Sequence, residues 1–203
     1  MKRFSKWQVS LLFGLIFTVL MSFFSFYSSV AQIRQKVLRL HVLANSDSEE
    51  DQALKLKVRD RILVCGEGLF EQAVNVAAAE ETARKNLPLF QAAAEDEIAR
   101  NGYAYSVRIE VAPVWFETRS YDDFTLPAGE YEAIRVLIGE ANGKNWWCVM
   151  FPAVCVPAAS EKGSLSQTLS GDELEVVENQ PKYRFRFKAV EVIEDIKKKL
   201  GKR

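Results

Sequence analysis

Val37-Leu38-Arg39-Leu40-His41-Val42-Leu43 alternates, with Leu38, Leu40 and Val42 on one side and Arg39 and His41 on the other. A period of two over so short a run predicts a β-strand with an apolar face and a polar face. The next residues change the period. Asn45-Ser46-Asp47-Ser48 is turn and cap chemistry. Ser46-x-x-Glu49 and Ser48-x-x-Asp51 each offer a helix N-cap, the first as a full capping box. Acids at 47, 49, 50 and 51 suit the positive end of a helix dipole. Leu54, Val58, Ile62, Cys65 and Leu69 then form one apolar stripe, with Lys55, Lys57, Arg59 and Arg61 off it.

Outward from this unit, residues 74–85 and 87–100 are Ala-rich and helical in propensity. Pro88 starts the second piece, and Asn101-Gly102 ends it in the left-handed manner. Tyr103 to Val111 alternates, and Glu132–Ile138 and Asn145–Phe151 read as further strands. Asn142-Gly143 between them is a hairpin signal. The run Asn-Trp-Trp-Cys-Val-Met-Phe at 145–151 is apolar on both faces, which predicts a central, covered strand. Residues 160–180 are polar and read as an exposed loop. Tyr183–Phe187 reads as a strand and Ala189–Leu200 as a terminal amphipathic helix with a Lys-rich end. The segregated order predicts an α+β fold: an antiparallel sheet with helices packed on one face.

The first thirty residues differ in kind. Lys2, Arg3 and Lys6 precede a run from Val9 to Tyr27 broken only by Gly14, Thr18 and serines. A basic start followed by an apolar run predicts a secretory signal or an uncleaved anchor helix. The run is long enough to cross a bilayer core of roughly 30 Å, and its positive flank keeps the N-terminus in the cytoplasm. Ser29-Val30-Ala31 places small residues at −3 and −1 of a cut between Ala31 and Gln32, so cleavage and retention both stand. The expected organisation is therefore residues 1–31 as signal or anchor and residues 32–203 as one extracytoplasmic domain.

Three of the 27 basic residues lie before residue 32 and none of the 27 acidic ones, so the remainder is mildly acidic. That excludes nucleic acid as the expected partner, which needs a basic footprint. Three cysteines are too few for a disulfide scaffold in a chain this long. No Cys-x-x-Cys knuckle accompanies Cys65, Cys148, Cys155 and His41, so no metal or other cofactor is expected. A turn at Pro152 lets Cys148 and Cys155 bridge, whereas a strand running on holds them roughly 20 Å apart. The bridge is the expectation, because an exported chain reaches an oxidising compartment.

Catalytic signatures are scarce: there is no Gly-x-Ser-x-Gly elbow, no His-Glu-x-x-His and no phosphate-cradling loop. His41, Asp47 and Cys148 could form a hydrolase triad, since triads are geometric rather than sequential. Helix capping and a strand face explain the first two without chemistry, and the expectation is a protein that is not an enzyme. A wall- or small-molecule-binding module is a further alternative.

Two blocks carry a resemblance. The first runs Leu38-Arg39-Leu40-His41-Val42-Leu43-Ala44-Asn45-Ser46-Asp47-Ser48, then Asp51-Gln52, then Leu54-Lys55-Leu56-Lys57-Val58-Arg59-Asp60. The second runs Leu126-Pro127-Ala128-Gly129-Glu130-Tyr131-Glu132-Ala133-Ile134-Arg135-Val136, then Gly139, then Asn145 to Pro152, then Cys155. Together they resemble the stage II sporulation protein R family over roughly residues 37–156. Where members of that family often carry a second proline after Phe-Pro, this chain has Ala153. The resemblance implies a protein made in the forespore and exported into the space between forespore and mother-cell membranes. There it would activate a membrane-embedded aspartic protease of the mother cell, which removes the pro-sequence of sigma-E. The residues expected to meet that partner are Arg39, His41, Asn45, Asp47, Lys55, Lys57, Arg59 and Asp60, with Trp146 or Trp147.

Overall fold

A computed structural model describes residues 6–121, 124–152, 168–178 and 180–200. In chain order these form α1 (Lys6–Arg34), β1 (Leu38–Leu43), α2 (Glu49–Gly66), α3 (Val76–Lys85) and α4 (Leu87–Arg100). Then come β2 (Val107–Phe116), β3 (Arg119–Ser120), β4 (Thr125–Leu126), β5 (Gly129–Ile138), β6 (Asn145–Phe151), α5 (Gly171–Glu178) and α6 (Gln180–Leu200). The architecture is α+β, as expected, with an apolar helix at its start.

The chain divides into two compact units. One comprises Arg34–Phe116 and Glu130–Gly171 and holds a four-stranded sheet in the order β2-β5-β1-β6. Leu40 and Val42 of β1, Ile134 and Val136 of β5 and Cys148 and Met150 of β6 share one face. They pack with Leu54, Val58 and Ile62 of α2 and Phe90, Ala94 and Ile98 of α4 in one buried cluster. The α2 stripe read from the sequence is therefore the face that meets the sheet. Its last members, Cys65 and Leu69, are only partly buried at the margin.

Three local signals gave a different outcome from the one their residues predict. The sheet is mixed rather than antiparallel, because β1 runs parallel to β5 and antiparallel to β6. Asn142-Gly143 does turn the chain, but not into a hairpin. β1 lies between β5 and β6, and the turn bonds back to it: Asn142 N–H donates to Asn45 O (3.1 Å) and Gly143 N–H to Ala44 O (3.0 Å). β6 stands at the end of the strand order among the described residues, and the covered strand is β1, whose first five residues are all buried. Residues 148–151 of β6 are nevertheless buried, which accounts for their two-faced apolar pattern.

The α2 cap is Ser48, whose hydroxyl accepts from Asp51 N–H at 3.2 Å. The competing Ser46 hydroxyl instead donates to the Asp51 carboxylate at 2.6 Å. Asn75 caps α3, Pro88 sits in the first turn of α4, and Gly102 closes that helix with φ of 81°.

The other unit comprises Met1–Ile33, Glu117–Gly129 and Asp172–Arg203. Its short ribbon pairs β3 with β4, Arg119 opposite Leu126. α1 is long and apolar enough to cross a membrane. α5 forms inside the stretch whose composition reads as a loop. Tyr183–Phe187 is helical, as the first turns of α6, rather than a strand. Tyr183 and Phe187 are four residues apart, and on a helix that spacing puts both on one face. Phe26 of α1 stacks on Tyr183 (centroids 5.4 Å apart) and meets Phe187 edge-on (5.5 Å).

Candidate functional site

The two sequence blocks meet at the junction between β1, α2 and the turn from β5 to β6. Asn45 donates through Nδ2 to Asp51 (2.8 Å) and accepts from Glu140 N–H through Oδ1 (3.0 Å). Asp47 accepts from Lys144 N–H at 2.7 Å. The Lys55 ammonium donates to Lys144 O (2.9 Å) and Gln52 Oε1 (2.5 Å), and Gln52 Nε2 donates to Ser46 O (2.8 Å). Hydrogen bonds from Ser46 and Asn45 hold the Asp51 carboxyl below its usual range, against the opposing effect of burial. Burial lowers the Lys55 pKa, and Asp47 opposes it. Gly139, at φ of 55°, passes so close to Asn45 that a side chain there would overlap the amide, and Gly143 lies equally close to the Ser46 carbonyl. Asn45, Asp47 and Lys55 are thus structural ties between the blocks, with their polar groups used internally.

The second face of β1 carries Arg39 and His41, and both are buried: Arg39 is 0% exposed and His41 6%. The polar face expected from alternation is therefore inside the protein. The Arg39 guanidinium lies 3.8 Å from the Phe116 ring centroid and 4.9 Å from that of Tyr131, an arrangement in which ring faces attract the cation. His41 Nε2 is 2.7 Å from Asn145 Oδ1. The carbonyl oxygen only accepts, so the neutral ring donates through Nε2. Phe116 and Trp147 flank the imidazole, with centroids 5.9 and 6.3 Å away. Burial lowers the His41 pKa; the Asn145 bond opposes this, while Arg135 and Arg39 add to it.

This geometry dismantles the hydrolase triad. Cys148 pairs in register with Leu40, and His41 with Trp147. Neighbouring residues of a strand point to opposite faces, so base and nucleophile lie on opposite sides of the sheet. Asp47 is engaged with the Lys144 backbone, and Cys148 is disulfide-bonded, so it offers no thiolate. Cys65 is a free thiol, and Cys155, the expected bridge partner, lies outside the described residues. Among the described residues no group of three or more His, Cys, Asp or Glu side chains comes together as a metal site.

Of the remaining expected contact residues, Lys57 and Asp60 are exposed on α2, while Arg59 and the tryptophans at the start of β6 are half-buried. The Arg59 guanidinium covers the Trp146 ring at 4.3 Å and pairs with Asp60 at 2.6 Å. Lys57 donates to Asn101 Oδ1 at 2.5 Å. Trp146 and Trp147 are each half-buried on opposite faces, Trp146 against the helix-covered core and Trp147 beside His41. Sequence reasoning missed Phe116, Tyr131 and Asn145. Tyr131 and Asn145 lie inside the second block, but their partners, Arg39 and His41 respectively, are about ninety or more residues away, beyond any local period. The expected cut between Ala31 and Gln32 falls within α1, between buried Val30 and Ile33.

Residues 34–161 match the family model described as stage II sporulation protein R. A curated protein of that name from Bacillus subtilis (strain 168) is 36% identical over 123 residues, which cover 61% of this chain and 55% of the relative. The match thus spans about half the length of that curated relative. No solved structure matches the chain.

Proposed function

The chain belongs to the stage II sporulation protein R family, and on that premise we propose that it is an exported signal acting by binding. Its target is a membrane-embedded aspartic protease of the mother cell, reached across the space between the two membranes. Switching on that protease releases sigma-E from its precursor. The family match over all four strands of the sheet carries this reading, and the apolar α1 supports a route out of the cytoplasm. A ligand activates only by favouring the active arrangement of its partner over the inactive one, so the working part is a surface. The exposed Lys57 and Asp60, with the half-buried Arg59 stacked on Trp146, supply it. Arg39, His41 and Lys55 are buried beneath, and Asn45 and the exposed Asp47 tie the β1–α2 turn to the turn before β6.

Co-expression in a non-sporulating host tests this. The shortened sigma precursor should appear only when the chain, the protease and the precursor are all present. Arg59→Ala with Trp146→Ala should reduce the shortened form several-fold while the chain accumulates at its usual level. Cleavage without the protease, or none with all three partners, would sink the reading.

A further inference from the structure

Large apolar side chains from Trp7 to Phe24 of α1 are almost all exposed, whereas Phe26, Val30 and Ile33 are buried. Lys6 to Phe24 rises about 28 Å as a helix, close to the thickness of a bilayer core. The apolar span therefore ends where burial within the protein begins.

α6 is pinned at that level. Arg186 Nη2 donates to Ser22 Oγ at 3.0 Å, Phe26 meets Tyr183 and Phe187, and Tyr27 bonds Glu194 and Lys197. These contacts use one face of α6, on which Tyr183, Phe187, Val190 and Glu194 are buried. The opposite face carries Phe185, Val192, Ile196 and Leu200 at steps of seven, four and four residues, which is a single helical stripe. All four are exposed, Phe185 by 89%. Across residues 180–200 there are seven basic and three acidic side chains.

We propose that α6 is a membrane-surface helix whose open stripe is occupied by the interface of the bilayer that α1 crosses. This rests on the reading of α1 as a membrane-inserted export segment. A helix with an apolar stripe and a cationic surplus lies in the headgroup boundary, with its lysines reaching anionic lipids. Its position is set by the contacts at Ser22, Phe26 and Tyr27, at the outer end of the span. Two copies pairing in parallel through the stripe would bring their Lys197-Lys198-Lys199 clusters together, which opposes that arrangement. The same contacts make α1 part of the folded unit. A cut between Ala31 and Gln32 would remove Phe26 and Tyr27 and leave α6 without its partner, so the anchor is retained.

The full chain, with Cys65→Ser, is reconstituted in vesicles of phosphatidylcholine with phosphatidylglycerol. Nitroxides are attached singly through Phe185→Cys, Val192→Cys, Ile196→Cys, Phe17→Cys within the span, and Glu81→Cys on exposed α3. Power saturation against oxygen and a nickel chelate reads depth. The three α6 sites should be oxygen-favoured and shallower than Phe17→Cys, and should sink deeper as phosphatidylglycerol is raised. Nickel access equal to that at Glu81→Cys, with Phe17→Cys still lipid-buried, overturns the surface helix and leaves the anchor standing. Nickel access at Phe17→Cys overturns the anchor and the surface helix together. Dipolar broadening between copies at the α6 sites gives the stripe to a second chain and overturns the proposal. Depth that ignores phosphatidylglycerol overturns the role of anionic lipid.

Discussion

Leu38, Leu40 and Val42 lie on one face of β1 and Arg39 and His41 on the other, and all five are buried. The first face is covered by α2 and α4 and held by dispersion and the hydrophobic effect. The second is an aromatic chamber in which Phe116, Tyr131 and Trp147 surround a cation and an imidazole. Burying a charge is tolerated only where specific groups replace its water, so the second face depends on geometry in a way that the first does not.

The largest effect should come from the apolar face. Leu40→Ala, at 0% exposure, should cost about 2–5 kcal/mol in urea unfolding of the full chain. A cost below about 1 kcal/mol would mean that the helix-covered face is not the main core. An intermediate effect is expected from Arg39→Lys, which keeps the charge and loses the flat guanidinium above Phe116. It should cost about 1–2 kcal/mol. An unchanged urea midpoint would show that charge alone suffices and that stacking on Phe116 contributes nothing.

The smallest effect is one of pH. Burial lowers the folded pKa of His41 below its ordinary 6.5, so the unfolded chain takes up the proton first. Its contribution is full above pH 6.5 and is progressively lost as pH falls from there through the folded pKa. His41→Gln should flatten that part of the stability profile, read as urea midpoints between pH 7.5 and 5. If wild type and variant lose stability in parallel, the imidazole is not desolvated and the second face is wetter than described.

The two faces also show what was legible in the sequence. Alternation in β1 correctly separates Leu38, Leu40 and Val42 from Arg39 and His41, because side-chain direction is a local property of extended backbone. It does not reveal what lies against each face, since Phe116 and Tyr131 arrive from distant strands. The α2 stripe and the breaks at Pro88 and Gly102 are likewise local and correctly read. Ser46 and Ser48 satisfy the same cap rule, and the choice between them depends on where Asp51 points. Asn142-Gly143 is a turn, but local chemistry cannot say which strand lies alongside. Of the expected contact residues, Lys57 and Asp60 are exposed, and Arg59 and Trp146 are half-buried with one stacked on the other. Arg39, His41 and Lys55 are buried and Asn45 half-buried, whereas Asp47 is exposed with its carboxylate tied to Lys144 N–H; in each case residues distant in sequence complete the contacts.

The strand order has a kinetic consequence. Arg39 pairs with Ala133 on one side and Val149 on the other, so β5 and β6 cannot be joined through this sheet until β1 lies between them. Each of the two ladders on β1 must bring together segments roughly ninety or more residues apart before it closes. Loop-closure entropy opposes each long-range step before contacts repay it, which slows such topologies. β1 is also the first strand to follow α1, so a chain delivered N-terminus first exposes its central strand well before either neighbour has been made. The time between the emergence of β1 and of β6 is a window in which an unpaired, apolar edge faces whatever shares the compartment.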